Sequence, residues 1–402
     1  MPRASSAAMF AACLLATASA APLLTQLDAF GDDSIRVRVA PPGGSITEPG
    51  LQALLMGAER PATRTAVSRG AEGSLTNGNL RVAVDPATGL ITATRVSDGA
   101  ALLTQTALVW GAPDVPTSRA GSVSVRVSFA GSPGEKAYGF GEHRTGTVQQ
   151  LPFSKRFADS QDYAQSHGGD VSIPWYASSR GYGFVWNSAA YGSVEASEAG
   201  ITWAANATLG VDVWITTTAA DFDPASGRSP YADLLLHYVD AVGHASTMPY
   251  YATGFIQCKD RYRNQTQLLD VARGYFERQL PISVIVIDWK HWTSQGDWHF
   301  NPACWPDPAG MVDELSTMGI ETMVTFWPFQ SKESRYYAEF VGNGWLVNQI
   351  NATAPTSYDG GDQYLIDQTN PYVRTAVFDK VRGGVARAGE LGELGCYAQR
   401  GR

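Results

Sequence analysis

The residues best suited to chemistry follow an apolar run. Val284–Ile287 (VIVI) leads into Asp288-Trp289-Lys290-His291-Trp292. A carboxylate leaving a buried apolar segment beside two indoles and an imidazole can accept hydrogen bonds from neighbouring hydroxyls. An indole can meanwhile cover the apolar face of a sugar ring. Asp288 is therefore a candidate sugar ligand, with Trp289 and His291 beside it. The plainer alternative is that Asp288 caps a loop or a helix. Asp297-Trp298-His299-Phe300-Asn301 and Trp305-Pro306-Asp307-Pro308 come next. They would shape a pocket rim, with Asp307 read as a helix N-cap. Trp327, in Phe326-Trp327-Pro328-Phe329, stands either on a pocket floor or in a core. Asp367 and Thr369, in DQTNP, read as residues that fix a loop or cap the next helix.

Other chemistries find little support. The six His are scattered and no Cys-x-x-Cys or His-x-x-x-His pair occurs, so neither a metal nor a cofactor is expected. No glycine-rich phosphate loop follows any of the strands, which disfavours a nucleotide-binding enzyme.

The elements that must position these residues fall into two patterns. Up to about Asp221 the chain alternates apolar and polar residues in short runs. Leu80, Val82 and Val84 lead through Pro86-Ala87-Thr88-Gly89 to Leu90–Val96, and Val123–Phe129 and Val211–Ile215 repeat the period of two. This pattern predicts an antiparallel β-sandwich. Ser229-Pro230 then reads as a helix start, Leu234–Val239 as helix and Gly243 as its stop. After a linker at His244–Tyr251, strands alternate with helices. Strands are expected at Thr253–Gln257, Val284–Ile287, Met323–Phe326 and Tyr364–Ile366, and helices at Thr266–Gln279 and from Asp307 to Gly319. Such alternation predicts a parallel sheet, in a TIM-type barrel or a doubly wound fold. In a barrel, working residues lie just past the strand C-termini, where Asp288 falls.

Composition sets the surroundings. Lys+Arg is 30 against Asp+Glu 38, giving a net charge of −8 with no basic run, so no nucleic-acid partner is expected. Aromatic residues make up 11% of the chain, a share that suits a sugar-binding protein and a large β-rich core alike. Met1–Ala20 has a short basic start at Arg3, an apolar stretch at Met9–Ala16 and an A-x-A site at Ala18–Ala20. These are the parts of a signal peptide, so a secreted chain with no membrane span is expected. Three Asn-x-Ser/Thr triplets, at Asn206, Asn264 and Asn351, fit glycosylation. Beyond Cys13 the cysteines are Cys258, Cys304 and Cys396, an odd count that leaves a Cys258–Cys304 bridge open.

Six phrases, in one order, resemble glycoside hydrolase family 31, the α-glucosidase/α-xylosidase family. They are YGFGEH (Tyr138–His143), SIPWYASSRGYGFVWN (Ser172–Asn187), GFIQCKDRYR (Gly254–Arg263), PISVIVIDWKHW (Pro281–Trp292), DWHFN with WPDPAGM, and DQTNP (Asp367–Pro371). The resemblance runs from about Asn79 to about Lys380. It implies a galactose-mutarotase-like β-sandwich domain followed by an incomplete (β/α)8 TIM-type barrel. The corresponding ranges are a signal peptide at 1–20, the sandwich at 21–245, the partial barrel at 246–385 and an aberrant tail at 386–402. It also implies retaining hydrolysis of terminal α-glucosides or α-xylosides by two aspartates, a nucleophile and an acid/base, without a cofactor. Asp288 carries over as the ligand of the non-reducing sugar. The family places a further acidic residue in a loop of the sandwich. Asp159, Asp162 and Asp170 fall there, in a segment that departs from the family pattern, and Asp162 is the candidate. Lys259-Asp260 also departs from the family's choices and leaves the substrate open.

A βαβ unit takes roughly 30 residues. Counting on from Asp367, the next strand and its nucleophile are expected near Leu394–Cys396. No Asp follows Asp379, and the segment is rich in Gly and Arg. The expectation is that both catalytic carboxylates are missing from these residues and that the chain as written does not hydrolyse glycosides. It would then be a shortened version of a longer hydrolase or a non-catalytic secreted carbohydrate-binding protein.

Overall fold

The computed structural model describes residues 22–46, 54–55, 60–63, 65–70, 73–115, 117, 120–143, 150–157, 171–218, 229–347 and 363–385. The chain divides into two compact units, Met1–Ala245 and Ser246–Arg402.

Among the described residues the first unit is two antiparallel sheets, one of six strands and one of nine. Alternation explains them. In Leu80–Val84 the three apolar residues are buried and Arg81 is exposed, and the strand pairs antiparallel with Ile91–Arg95. Between them Asp85 Oδ1 accepts from the amides of Ala87 at 2.9 Å and Thr88 at 2.8 Å, and Gly89 takes the φ of +71° that closes the turn. The inner faces meet in one core that includes Val82, Val127, Phe140, Tyr176, Phe184 and Trp203. Part of the aromatic share lies here, where Phe140 stacks on Phe153 at 4.6 Å and Trp203 on Trp186 at 6.0 Å.

Val211–Thr217 is buried at all seven positions, not at every second one. Its outward-facing Trp214 belongs to a second cluster with Trp175 and Ala241 of the helix Pro230–Val242. Tyr238 of that helix stacks on Trp175 at 4.4 Å. The helix starts where the sequence predicts, with the Ser229 side chain accepting from Ala232 N. The strand's one carboxylate, Asp212, is held by Arg36 through two bonds of 3.0 and 2.7 Å and by Asn187 Nδ2 at 2.8 Å. A buried charge is tolerated only with such partners.

In the second unit, Ile256–Gln257, Val284–Ile287 and Glu321–Val324 form a parallel sheet in that order. The helices Gln265–Glu277 and Pro308–Thr317 connect them. Asn264 and Asp307 are their N-caps, accepting from Gln267 N at 2.9 Å and Gly310 N at 3.0 Å. Leu268, Ala272, Met311 and Leu315 pack with Ile285 and Ile287 as one core.

Three expected elements differ. The strand expected at Thr253–Gln257 is reduced to Ile256–Gln257, because Tyr250–Thr253 forms a 3-10 turn whose Thr253 Oγ1 donates to Tyr250 O at 2.7 Å. The strand expected at Met323–Phe326 lies at Glu321–Val324. The segment expected to supply a further strand, Gln363–Leu365, lies outside the parallel sheet and pairs antiparallel with Phe329–Ser331. Among the described residues no helix is long and apolar enough to cross a membrane. The expected leader at 1–20, the triplet at Asn351, Cys396 and the tail at 386–402 lie outside the described residues.

Candidate active site

Parallel register brings the site together. Ile287 pairs with Val324, so the next residues on the two strands, Asp288 and Thr325, emerge side by side at the sheet's C-terminal edge. Thr325 Oγ1 donates to Asp288 Oδ1 at 3.0 Å and accepts from Trp289 N at 3.3 Å. One hydroxyl thus fixes both the carboxylate and the turn that follows it. From the neighbouring strand, Cys258 Sγ lies 3.9 Å from Asp288 Oδ2. Burial, and then the Asp288 charge, push the Cys258 thiol up, so it stays protonated and can donate to the carboxylate. Asp288 itself is only partly buried. With Thr325 on one oxygen and a weak thiol donor on the other, it keeps acceptor capacity for an incoming hydroxyl.

The backbone after Asp288 is unusual. Trp289 and Lys290 have φ of +41° and +55°. Left-handed conformations at two successive non-glycine residues are disfavoured and persist only when the surroundings enforce them. Here Trp289 N is tied to Thr325, and the Trp289 ring stacks on Trp327 at 5.9 Å with planes 13° apart. Cations flank the same indole: Lys290 Nζ lies 4.7 Å from its centroid and Arg261 Cζ 6.0 Å. Trp327 therefore stands beside Trp289, at the strand end that carries Asp288.

His291 is a correction. The left-handed pair reverses the chain and returns His291 to the interior, where it is fully buried and its ring lies 4.6 Å from Trp292, 5.3 Å from Phe300 and 6.0 Å from Phe326. Burial, with a smaller effect of His299, holds its imidazole down at about 3. A neutral ring enclosed by aromatic groups cannot meet a sugar here. Asp162, with Asp159 and Asp170, lies outside the described residues.

The other acidic candidates are structural. Asp297 is buried and accepts from Ser294 N at 3.2 Å and Arg335 N at 2.9 Å. Asp307 is the N-cap expected of it. Asp367 Oδ1 accepts from Thr369 N at 3.0 Å, the loop-fixing role read from DQTNP. Cys258 and Cys304 are free thiols, so the bridge left open between them is not formed. Among the described residues no group of three His, Cys, Asp or Glu could hold a metal.

Sequence reasoning missed Thr325, Cys258 and Arg261. Thr325 falls inside the strand expected at Met323–Phe326, and only the observed strand end at Val324 places it beside Asp288. Adjacency needed the register.

Comparison with known proteins gives a consistent result. A family model described as the glycosyl hydrolase 31 N-terminal galactose mutarotase-like domain matches residues 24–195. One described as the glycosyl hydrolases family 31 TIM-barrel domain matches residues 245–386. An uncharacterized family 31 glucosidase, ORF2, of Pseudescherichia vulneris is 36% identical over 262 residues, 65% of this chain and 46% of that protein. Alpha-xylosidase A of Aspergillus niger is 31% identical over 263 residues, 64% of this chain and 33% of that protein. The crystal structure of a GH31 alpha-xylosidase from a soil metagenome, complexed with xylose, superimposes with a TM-score of 0.74 at 31% identity, covering 92% of this chain and 54% of that one. The chain thus spans about half, or less, of the length of these relatives.

Proposed function

This chain belongs to glycoside hydrolase family 31, and from that membership we propose that it binds the terminal non-reducing unit of an α-xyloside or α-glucoside, with Asp288 as the anchor. The observation that carries the reading is Asp288 at the end of a buried parallel strand, fixed on one oxygen by Thr325 and open on the other to a second donor. The stacked Trp289 and Trp327 supply an apolar wall beside it. The relatives' names, which include α-xylosidases and a glucosidase, support α-glycosides as the substrate class. The parallel strands and their helices support a barrel-type second domain, in which such a site sits at the strand C-termini.

Retaining hydrolysis needs two carboxylates, a nucleophile and an acid/base, roughly 5–5.5 Å apart and distinct from the Asp288 ligand. Of the three parallel strands described, only Val284–Ile287 is followed directly by a carboxylate; the other two are followed by Cys258 and Thr325. This favours sugar recognition without turnover by residues 1–402 themselves, in a protein whose pattern at Met1–Ala20 supports export.

The test is a titration of the chain with xylose, glucose and their aryl α-glycosides. Wild type should bind, and Asp288→Ala should weaken binding at least tenfold, because a sugar hydroxyl loses a charged partner. An effect below twofold would remove Asp288 from the site. Release of aryl alcohol above the buffer rate, surviving removal of contaminating hydrolases, would overturn the reading of recognition without turnover.

A further inference from the structure

A cleft of about 490 Å³ opens in the second unit among His299, Phe300, Trp305, Arg335, Asp379 and Lys380. Asp288, Thr325 and Cys258 do not line it. Its volume falls in the range of small-molecule sites. Three segments build it: the loop before the helix Pro308–Thr317, the turn before the helix Tyr337–Gly342, and the last turns of the helix Pro371–Val385.

The lining combines apolar planes with donors and acceptors. Phe300 and Trp305 form an aromatic base, their rings 5.7 Å apart. Trp305 is 1% exposed, and its buried Nε1 has no hydrogen-bond partner among the described residues. A buried donor without an acceptor is costly. Around the base stand His299, Arg335, Lys380 and the Asp379 carboxylate, groups that can bond hydroxyls in either sense. The charges are already met. Arg335 Nε lies 3.8 Å from Asp297 Oδ1 and its Nη2 2.8 Å from His299 Nε2. Lys380 Nζ donates to Glu339 at 2.7 Å, and Asp379 faces Arg382 at 3.7 Å. A phosphate or a sulfate would find no uncompensated cation. A neutral ring with hydroxyls on its rim and apolar faces suits both halves of the lining.

We propose that this cleft is a second saccharide-binding site, taking one or two neutral sugar units and separate from the Asp288 site. It would hold the chain on an oligosaccharide independently of the terminal unit.

The full chain, titrated with isomaltotriose and followed by transferred-saturation NMR and tryptophan fluorescence, tests this. In Asp288→Ala protein, binding should persist. Adding Gly383→Trp should then weaken it at least tenfold, since a Cβ at Gly383 meets no atom within 4 Å and an indole there can occupy the cleft. Asp379→Ala, at an exposed position, should weaken it at least threefold and serves where the larger substitution disturbs folding. No binding in Asp288→Ala protein, wild-type affinity in both cleft variants, or displacement of the sugar by inorganic phosphate would overturn the proposal. Failure of the Asp288 reading has a different signature: full affinity in the Asp288→Ala protein together with loss in Gly383→Trp alone.

Discussion

The Thr325 hydroxyl donates to Asp288 and accepts from Trp289, so one rotor sets both a carboxylate and a turn. Thr325→Val keeps the shape and removes both bonds. It should weaken saccharide binding roughly tenfold, the scale of a hydrogen bond to a charged group, and Thr325→Ser should restore most of it. Equal affinity for Val and Ser variants would mean that Thr325 does not position Asp288. His291 gives a second test at this scale. Its imidazole is held at about 3 by burial, against roughly 6.5 in an unfolded chain. Between those values the unfolded chain binds a proton that the native one does not. Stability should therefore be full above pH 6.5 and fall as pH is lowered toward 3, by at most about 1.4 kcal/mol per pH unit. Thermal midpoints between pH 7 and 4.5 should fall less steeply in His291→Phe protein than in wild type. Parallel slopes in the two proteins would assign the acid sensitivity elsewhere.

At the scale of elements, the helix starts are decided locally. Asp307 precedes Pro308, its carboxylate accepts from Gly310 N, and the helix carries Met311, Val312 and Leu315 into the core. Asp307→Ala should cost about 1 kcal/mol in denaturant unfolding, the usual value of an N-cap, and Asp307→Ser much less. If Asp307→Ala costs nothing, the cap does not contribute. The strands behave differently. Among the described residues Ile256–Gln257, a strand of two residues, pairs on one side only, and Phe255 and Ile256 are 52% and 40% exposed. Phe276 and Leu280 are exposed to a similar degree.

For the whole molecule, the division after Ala245 separates a unit built on antiparallel sheets from one with a parallel sheet, each with its own core. Calorimetric unfolding should then show two transitions, not one. Trp203 is fully buried in the core of the first unit. Trp203→Ala should lower the midpoint of one transition by several degrees, since such truncations cost about 3–5 kcal/mol, and leave the other in place. A single transition shifted as a whole would show that the two units unfold together.

The features legible in the sequence are those that short stretches of chain determine. Alternation at Leu80–Val84 and Val123–Ala130, caps at Ser229 and Asp307, and the apolar run at Val284–Ile287 follow from side-chain periodicity and orphan helix amides. Asp288 was legible for the same reason, as a carboxylate ending a buried strand. Tertiary structure decided what depends on partners far along the chain. Parallel register put Thr325 against Asp288, and stacking put Trp327 on Trp289. A helix covering Trp214 buried both faces of a strand that alternation alone would half expose. The left-handed turn at Trp289-Lys290 carried His291 inward, because backbone conformation, and not residue type, decides which side of a chain meets solvent.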